Sequence, residues 1–100
     1  MPMKRPSRDL HAVRLTIRGR SLGTSYLSFA AERAHRFSLN GWAALSNPDE
    51  VTIVACGPAA LIDMLEVACM LGPIEALVHE IERVELPPSC LDSAGFTIVR

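Results

Sequence analysis

The period of the chain changes between Ile17 and Ser25. From His11 to Arg18, Val13, Leu15 and Ile17 alternate with Arg14, Thr16 and Arg18, the two-residue period of a half-buried strand. From about Ser25 the apolar spacing becomes helical. Gly19 and Gly23 sit four residues apart between the two periods. A strand that turns straight into a helix must lay the helix back over its own sheet, and the glycines permit the tight turn this needs. Such a turn can also aim several backbone N–H groups at one point, and the first helical turn adds more. Gly19, Arg20, Ser21, Leu22, Gly23, Thr24 and Ser25 therefore form a candidate anion cradle. Position 27, one turn into the helix, is a leucine and brings no polar group to it.

The rest of the chain repeats these two periods. The first helix is expected over about Ser25–Ser38, with Thr24 or Ser25 as its N-cap. Tyr26, Phe29, Ala30, Ala34 and Phe37 share its inner face, Arg33 lies at the edge and Leu27 falls off it. His35 reads as an exposed helix residue. Asn40 to Ser46 is a second strand with Trp42 as a core anchor, Asn47-Pro48-Asp49-Glu50 a turn, and Val51 to Ala55 a third strand. Gly57-Pro58 opens a second helix with proline in its first position, and Gly72-Pro73 ends it after Leu71. Leu61, Ile62, Leu65, Ala68 and Cys69 form its core face. Ala60, Met64, Val67 and Leu71 add an apolar arc that one helix on one sheet does not require, which marks it as a wider core contact or as a surface for a second copy or a protein partner. Glu75 to Leu86 is a fourth strand whose alternation breaks between Val78 and Ile81, which predicts a β-bulge near His79-Glu80; Glu80, Glu82 and Glu85 read as a solvated face. A loop from Pro87 carries Cys90 and Asp92, and Phe96 to Val99 closes the chain as a short strand. The order is βαββαβ with a terminal strand, an α+β ferredoxin-like sandwich with two helices on one face of an antiparallel sheet.

Composition bounds what such a domain does. One hundred residues suffice for one domain with a modest core. Residues 1–10 read as a flexible basic tail and residues 11–100 as the domain. No apolar run matches a membrane span or a signal peptide, so a cytoplasmic protein without membrane association is expected. Three cysteines, Cys56, Cys69 and Cys90, lack metal-ligand spacing and are expected to be reduced thiols. Residues 1–46 hold eight Lys/Arg against two Asp/Glu, and residues 47–100 hold two against nine, so the first half could attract an anionic ligand. An RNA-binding sheet would need aromatics on its strands; the first and third strands have none of the chain's five, so no nucleic-acid partner is expected.

Several motifs in order resemble the acylphosphatase family over about residues 11–100. They are Gly19-Arg20-x-x-Gly23 after a strand, Tyr26, Phe29-Ala30, Gly41-Trp42, Val51-x-Ile53-x-Ala55-x-Gly57, Gly72-Pro73, Ala76-x-Val78 with Ile81, and Phe96-x-Ile98. The resemblance implies hydrolysis of the carboxyl-phosphate bond of small acyl phosphates, with no metal and no cofactor. It implies that the glycine-turn N–H groups hold the phosphate, that an arginine opening the first helix pairs with it, and that an asparagine after the Gly-Trp pair positions water. Those two positions carry Leu27 and Leu45 here. The turn departs too, with Ser21-Leu22 and Thr24-Ser25 in place of the family's usual residues. The expectation is a binding or interaction module of this family without its chemistry, with a small anion such as phosphate as ligand. The alternative is a weak or altered hydrolase in which Arg20 and Asn47 substitute for the two lost groups.

Overall fold

The computed structural model describes residues 10–87 and 95–99. Its elements are β1 (Leu10–Arg20), α1 (Gly23–Arg36), β2 (Asn40–Asn47), β3 (Glu50–Pro58), α2 (Ala59–Leu71), β4 (Leu77–Leu86) and β5 (Phe96–Val99). The strands form one sheet in the order β4-β1-β3-β2-β5. This is the ferredoxin-like βαββαβ arrangement with a fifth strand. Both helices pack on one face. Val13, Leu15, Ile17, Ala43, Val51, Ile53 and Ala55 of the sheet meet Tyr26, Leu27, Ala30 and Ala34 of α1 and Ile62, Leu65 and Cys69 of α2, all buried.

The sheet is mixed rather than wholly antiparallel, because β5 runs parallel to β2. The reason is topological. β4 and β5 occupy opposite edges; β4 is antiparallel to β1, β1 to β3 and β3 to β2, so β5, running opposite to β4, lies alongside a strand of its own direction. Asn40 accepts the Gly95 N–H at 2.9 Å through its side-chain oxygen, and the Gly41 N–H donates to the Gly95 carbonyl at 3.0 Å; these bonds hold the entry to β5. His35, exposed as expected, donates from Nε2 to the Phe96 carbonyl at 2.8 Å and ties α1 to the same strand.

The bulge lies where the broken alternation placed it. Arg18 faces Glu80 and Gly19 faces Val78, so His79 is the extra residue and Val78 and Ile81 share the inner side. Glu80 and Glu82 flank Arg18 on the outer face, at 3.3 and 3.6 Å. Glu85 instead joins Arg83, which also holds Asp63 and Glu66 of α2, each at 2.8 Å, and so pins that helix to β4.

Other expectations are corrected. Helix α1 begins at Gly23 and its N-cap is Leu22, with no side-chain cap, so neither Thr24 nor Ser25 serves; Leu22 is buried, and core packing rather than capping chemistry sets this end. Leu27 is not off the inner face but within the core. Trp42 is no core anchor: Gly41 and Ala43 take the buried sites of β2, and Trp42 stands half-buried on the outer face opposite Val54. Pro58 is the N-cap of α2 rather than its first residue, because β3 runs on to Pro58. Strand β4 starts at Leu77 rather than Glu75, and Leu10, assigned to the tail, begins β1. The remainder of the tail, Cys90 and Asp92 lie outside the described residues. Cys69 is a free buried thiol, but Cys56 is disulfide-bonded, so the expectation of reduced thiols fails there. Sequence spacing carries no information on which cysteines a fold brings together.

Candidate functional site

Gly19 is the next-to-last residue of β1, paired with Val78 of β4. A β-carbon there would stand 2.1 Å from the Leu77 carbonyl oxygen, so only glycine fits. Gly19→Ala is expected to cost about 1–3 kcal/mol through forced separation of β1 from β4, measurable as a lowered midpoint in urea unfolding. The Gly19 N–H is itself committed, donating to the Asp49 carbonyl at 3.0 Å. The cradle therefore loses its first donor to the β2–β3 turn.

The donors that remain come from the helix start. Ser21 takes a left-handed φ of 60° and Gly23 a φ of 25°, which turns the chain into α1. The first helical bond runs from the Tyr26 N–H to the Leu22 carbonyl at 3.1 Å. The N–H groups of Gly23, Thr24 and Ser25 precede it and have no intrahelical acceptor. A β-carbon on Gly23 would meet nothing within 4 Å, so the turn is not closed over on that side.

Beside them the surface is apolar. Thr24, Leu27, Leu45 and Val99 line a pocket of about 280 Å³. Leu27 is 4% exposed and Leu45 is 38% exposed. Leu45 pairs with Val51, a core residue, so its side chain is on the helix side of the sheet. Sequence reading brought Leu27, Leu45 and the turn to one place, and the structure does the same. It missed Val99, which reaches the pocket only because β5 is parallel to β2.

The candidate substitutes fare unequally. Leu45 faces Val51 while Asn47 faces Glu50, so Ser46 is an extra residue and Asn47 falls on the opposite side of the sheet from Leu45. The Asn47 side-chain oxygen is also occupied, accepting the Asp49 N–H at 2.9 Å. Arg18 is held by Glu50 at 3.2 Å and by the two β4 glutamates. This acidic ring compensates the nearest part of the positive half of the sequence. Arg20 is exposed and forms no ion pair among the described residues. No group of three or more metal-ligating side chains occurs among the described residues. No described helix is long and apolar enough to cross a membrane.

A family model described as acylphosphatase matches residues 13–98. The chain belongs to the acylphosphatase family. An acylphosphatase of Azorhizobium caulinodans is 32% identical over 90 residues, covering 88% of this chain and 94% of that one. A structure of an acylphosphatase from Coxiella burnetii superposes with a TM-score of 0.87 at 23% identity, over 97% of this chain and 100% of that one. The acylphosphatase from Bacillus subtilis gives a TM-score of 0.83 at 26% identity, over 90% and 99%. This chain has the fold of the acylphosphatase structures, with a glycine turn between β1 and α1 and an apolar pocket at the turn's edge.

Proposed function

We propose that this acylphosphatase-family domain binds a small anionic ligand without hydrolysing acyl phosphates. The observation that carries the reading is the pairing of Leu27 with Leu45 in one pocket beside the open N–H groups of Gly23, Thr24 and Ser25. A phosphoryl group there meets backbone donors on one side and hydrocarbon on the other. Nothing at either leucine follows the charge into the transition state or orients a water. Losing one preorganised donor typically costs ~3–4 kcal/mol, or ~10²–10³ in rate, and two such groups act together rather than additively.

The test is benzoyl phosphate hydrolysis by the wild-type chain and by Arg20→Ala. The rate is expected to equal that of buffer for both, while inorganic phosphate shifts the backbone amide resonances of residues 23–25. Hydrolysis above buffer that disappears in Arg20→Ala would overturn the reading in favour of a hydrolase driven from Arg20, the turn's cation, which has no ion-pair partner among the described residues.

A further inference from the structure

Ala60, Met64, Val67 and Leu71 of α2 are exposed, so that arc is no wider core contact. Unexpected burial lies instead on the side of the sheet away from the helices. Val13, Ile53 and Ala55 face the helices. Ala12, Val54 and Cys56 are one step out of phase with them and face the other way. All three are nevertheless buried, at 1%, 7% and 1% exposure. Cys56, at this position, is disulfide-bonded.

Its partner follows from the chain's own cysteines. There are three. Cys69 is a free thiol in the core between α2 and the helix side of the sheet, so the sheet separates it from Cys56. That leaves Cys90. The sheet register agrees. Leu86, Ala12, Cys56 and Asn40 stand opposite one another in one row across β4, β1, β3 and β2. The connection from β4 to β5 starts and ends on this row, because it leaves from Leu86 and the Gly95 N–H donates to the Asn40 side chain at 2.9 Å. From β4 to β5 is four strand spacings, ~19 Å, with β3 and Cys56 halfway, ~10 Å from either edge. Cys90 is four residues after Leu86 and five before Gly95, the middle of the connection. Four residues span up to ~13 Å, and bonded cysteines keep their Cα atoms ~4–7 Å apart, so Cys90 is within reach of Cys56.

We propose that Cys56 and Cys90 form an intrachain disulfide that ties the β4–β5 connection to the centre of the sheet and makes the docking of β5 sensitive to thiol reductants. Strand β5 has four residues and one neighbour, β2, so a covalent tie just before it matters to its retention. The chemistry is thiol–disulfide exchange. Oxidised glutathione accepts two electrons and the two thiol hydrogens, becoming two thiols, as the Cys56 and Cys90 S–H bonds break and one S–S bond forms. Dithiothreitol reverses the step: its two thiols close to a cyclic disulfide and both cysteines regain their hydrogens. The bond closes a loop of about 35 residues, long enough to restrict the unfolded chain strongly. It uses no residue of the glycine turn, so the proposal stands apart from ligand binding there.

Two measurements on the full chain test it. After equilibration with oxidised glutathione, alkylation in denaturant and cleavage after glutamate, Cys56, Cys69 and Cys90 fall on separate peptides, residues 51–66, 67–75 and 86–100. The first and third are expected to be linked and Cys69 to be alkylated. Three alkylated cysteines, a link through Cys69, or a disulfide between two chains overturns the proposal. Dithiothreitol is then expected to lower the urea midpoint by at least ~1 M and to speed amide exchange at residues 96–99 at least ~10-fold. Cys90→Ser should show both changes without reductant and respond no further to it. A midpoint and exchange rates that dithiothreitol leaves unchanged overturn the hold on β5. If Cys90→Ser does not fold, the wild-type chain with and without dithiothreitol decides.

Discussion

Leu27→Arg/Leu45→Asn is expected to hydrolyse benzoyl phosphate at least ~10²-fold faster than the wild-type chain. Position 27 lies in the first turns of α1, just after the N–H groups of Gly23, Thr24 and Ser25, which have no intrahelical acceptor. Position 45 is on the helix side of β2, and the two side chains line one pocket of about 280 Å³. A guanidinium from one wall and an amide from the other would converge on a phosphoryl group held by the backbone. The guanidinium makes two charge-assisted hydrogen bonds, which strengthen as charge builds on the phosphoryl oxygens. Each single variant should recover less than half of the gain in logarithmic terms, because water and phosphoryl group must be placed together. The gain has a structural cost. Leu27 is a core residue at 4% exposure, and an arginine there keeps its stem packed while its head extends into the pocket. A loss of about 1–3 kcal/mol in unfolding free energy is expected. A double variant that neither turns over nor binds phosphate would show that the turn no longer accepts an anion, and would sink the binding proposal too.

The second large effect lies at the core junction of the two helices. Tyr26 is fully buried and its hydroxyl donates to the Cys69 carbonyl at 2.6 Å. That carbonyl has no helical donor of its own, because the residue four positions on is Pro73, and the Gly72 N–H is spent on Ala68. Tyr26 thus supplies from α1 the bond that the proline removes from the end of α2. Tyr26→Phe leaves a buried acceptor without a partner and is expected to cost about 1–3 kcal/mol. Tyr26→Ala adds a cavity and should cost ~3–5 kcal/mol. Chemical denaturation of both variants measures this.

The same pair makes stability depend on alkaline pH. Burial pushes the Tyr26 hydroxyl well above its ordinary 10, helped by the nearby Cys69. Burial likewise pushes the Cys69 thiol from 9.0 up to about 12, opposed in part by the adjacent Tyr26 hydroxyl. Above pH 9 the unfolded chain releases these protons and the folded chain retains them. The unfolded state then binds fewer protons, so unfolding becomes easier as pH rises. Full stability is present below pH 9 and is lost progressively toward pH 12, by up to ~1.4 kcal/mol per pH unit for each group that titrates only when unfolded. The slope of unfolding free energy against pH should flatten in Cys69→Ala above pH 9. An unchanged slope would show that Cys69 is not the source.

The strands and helices were legible because each carries its own period. Val13, Leu15 and Ile17 need only each other to declare a strand. The skipped apolar position before Ile81 revealed the bulge at His79 for the same local reason. Trp42 was misread because size suggested burial, whereas parity on β2 gives the inner sites to Gly41 and Ala43. A two-residue step along a strand normally keeps the face, which would align Asn47 with Leu45. The extra residue Ser46 in the pairing with β3 reverses that, and nothing in the sequence around it announces the insertion. The N-cap was misread because Thr24 and Ser25 have capping chemistry, while the buried Leu22 sets where the helix starts.

The sequence by itself determined the order of elements, the glycine turn and the absence of an arginine at position 27 and an asparagine at position 45. These are local properties, written in periodicity, in the special backbone freedom of glycine and in residue identity. Only the tertiary structure decided what surrounds the turn. Pairing across the sheet committed the Gly19 N–H to Asp49 and moved Asn47 to the far face. The parallel docking of β5 placed Val99 in the lining of one pocket with Leu27 and Leu45. Such outcomes depend on contacts between residues distant in the chain, and a period read along one segment holds no information about its neighbours in space.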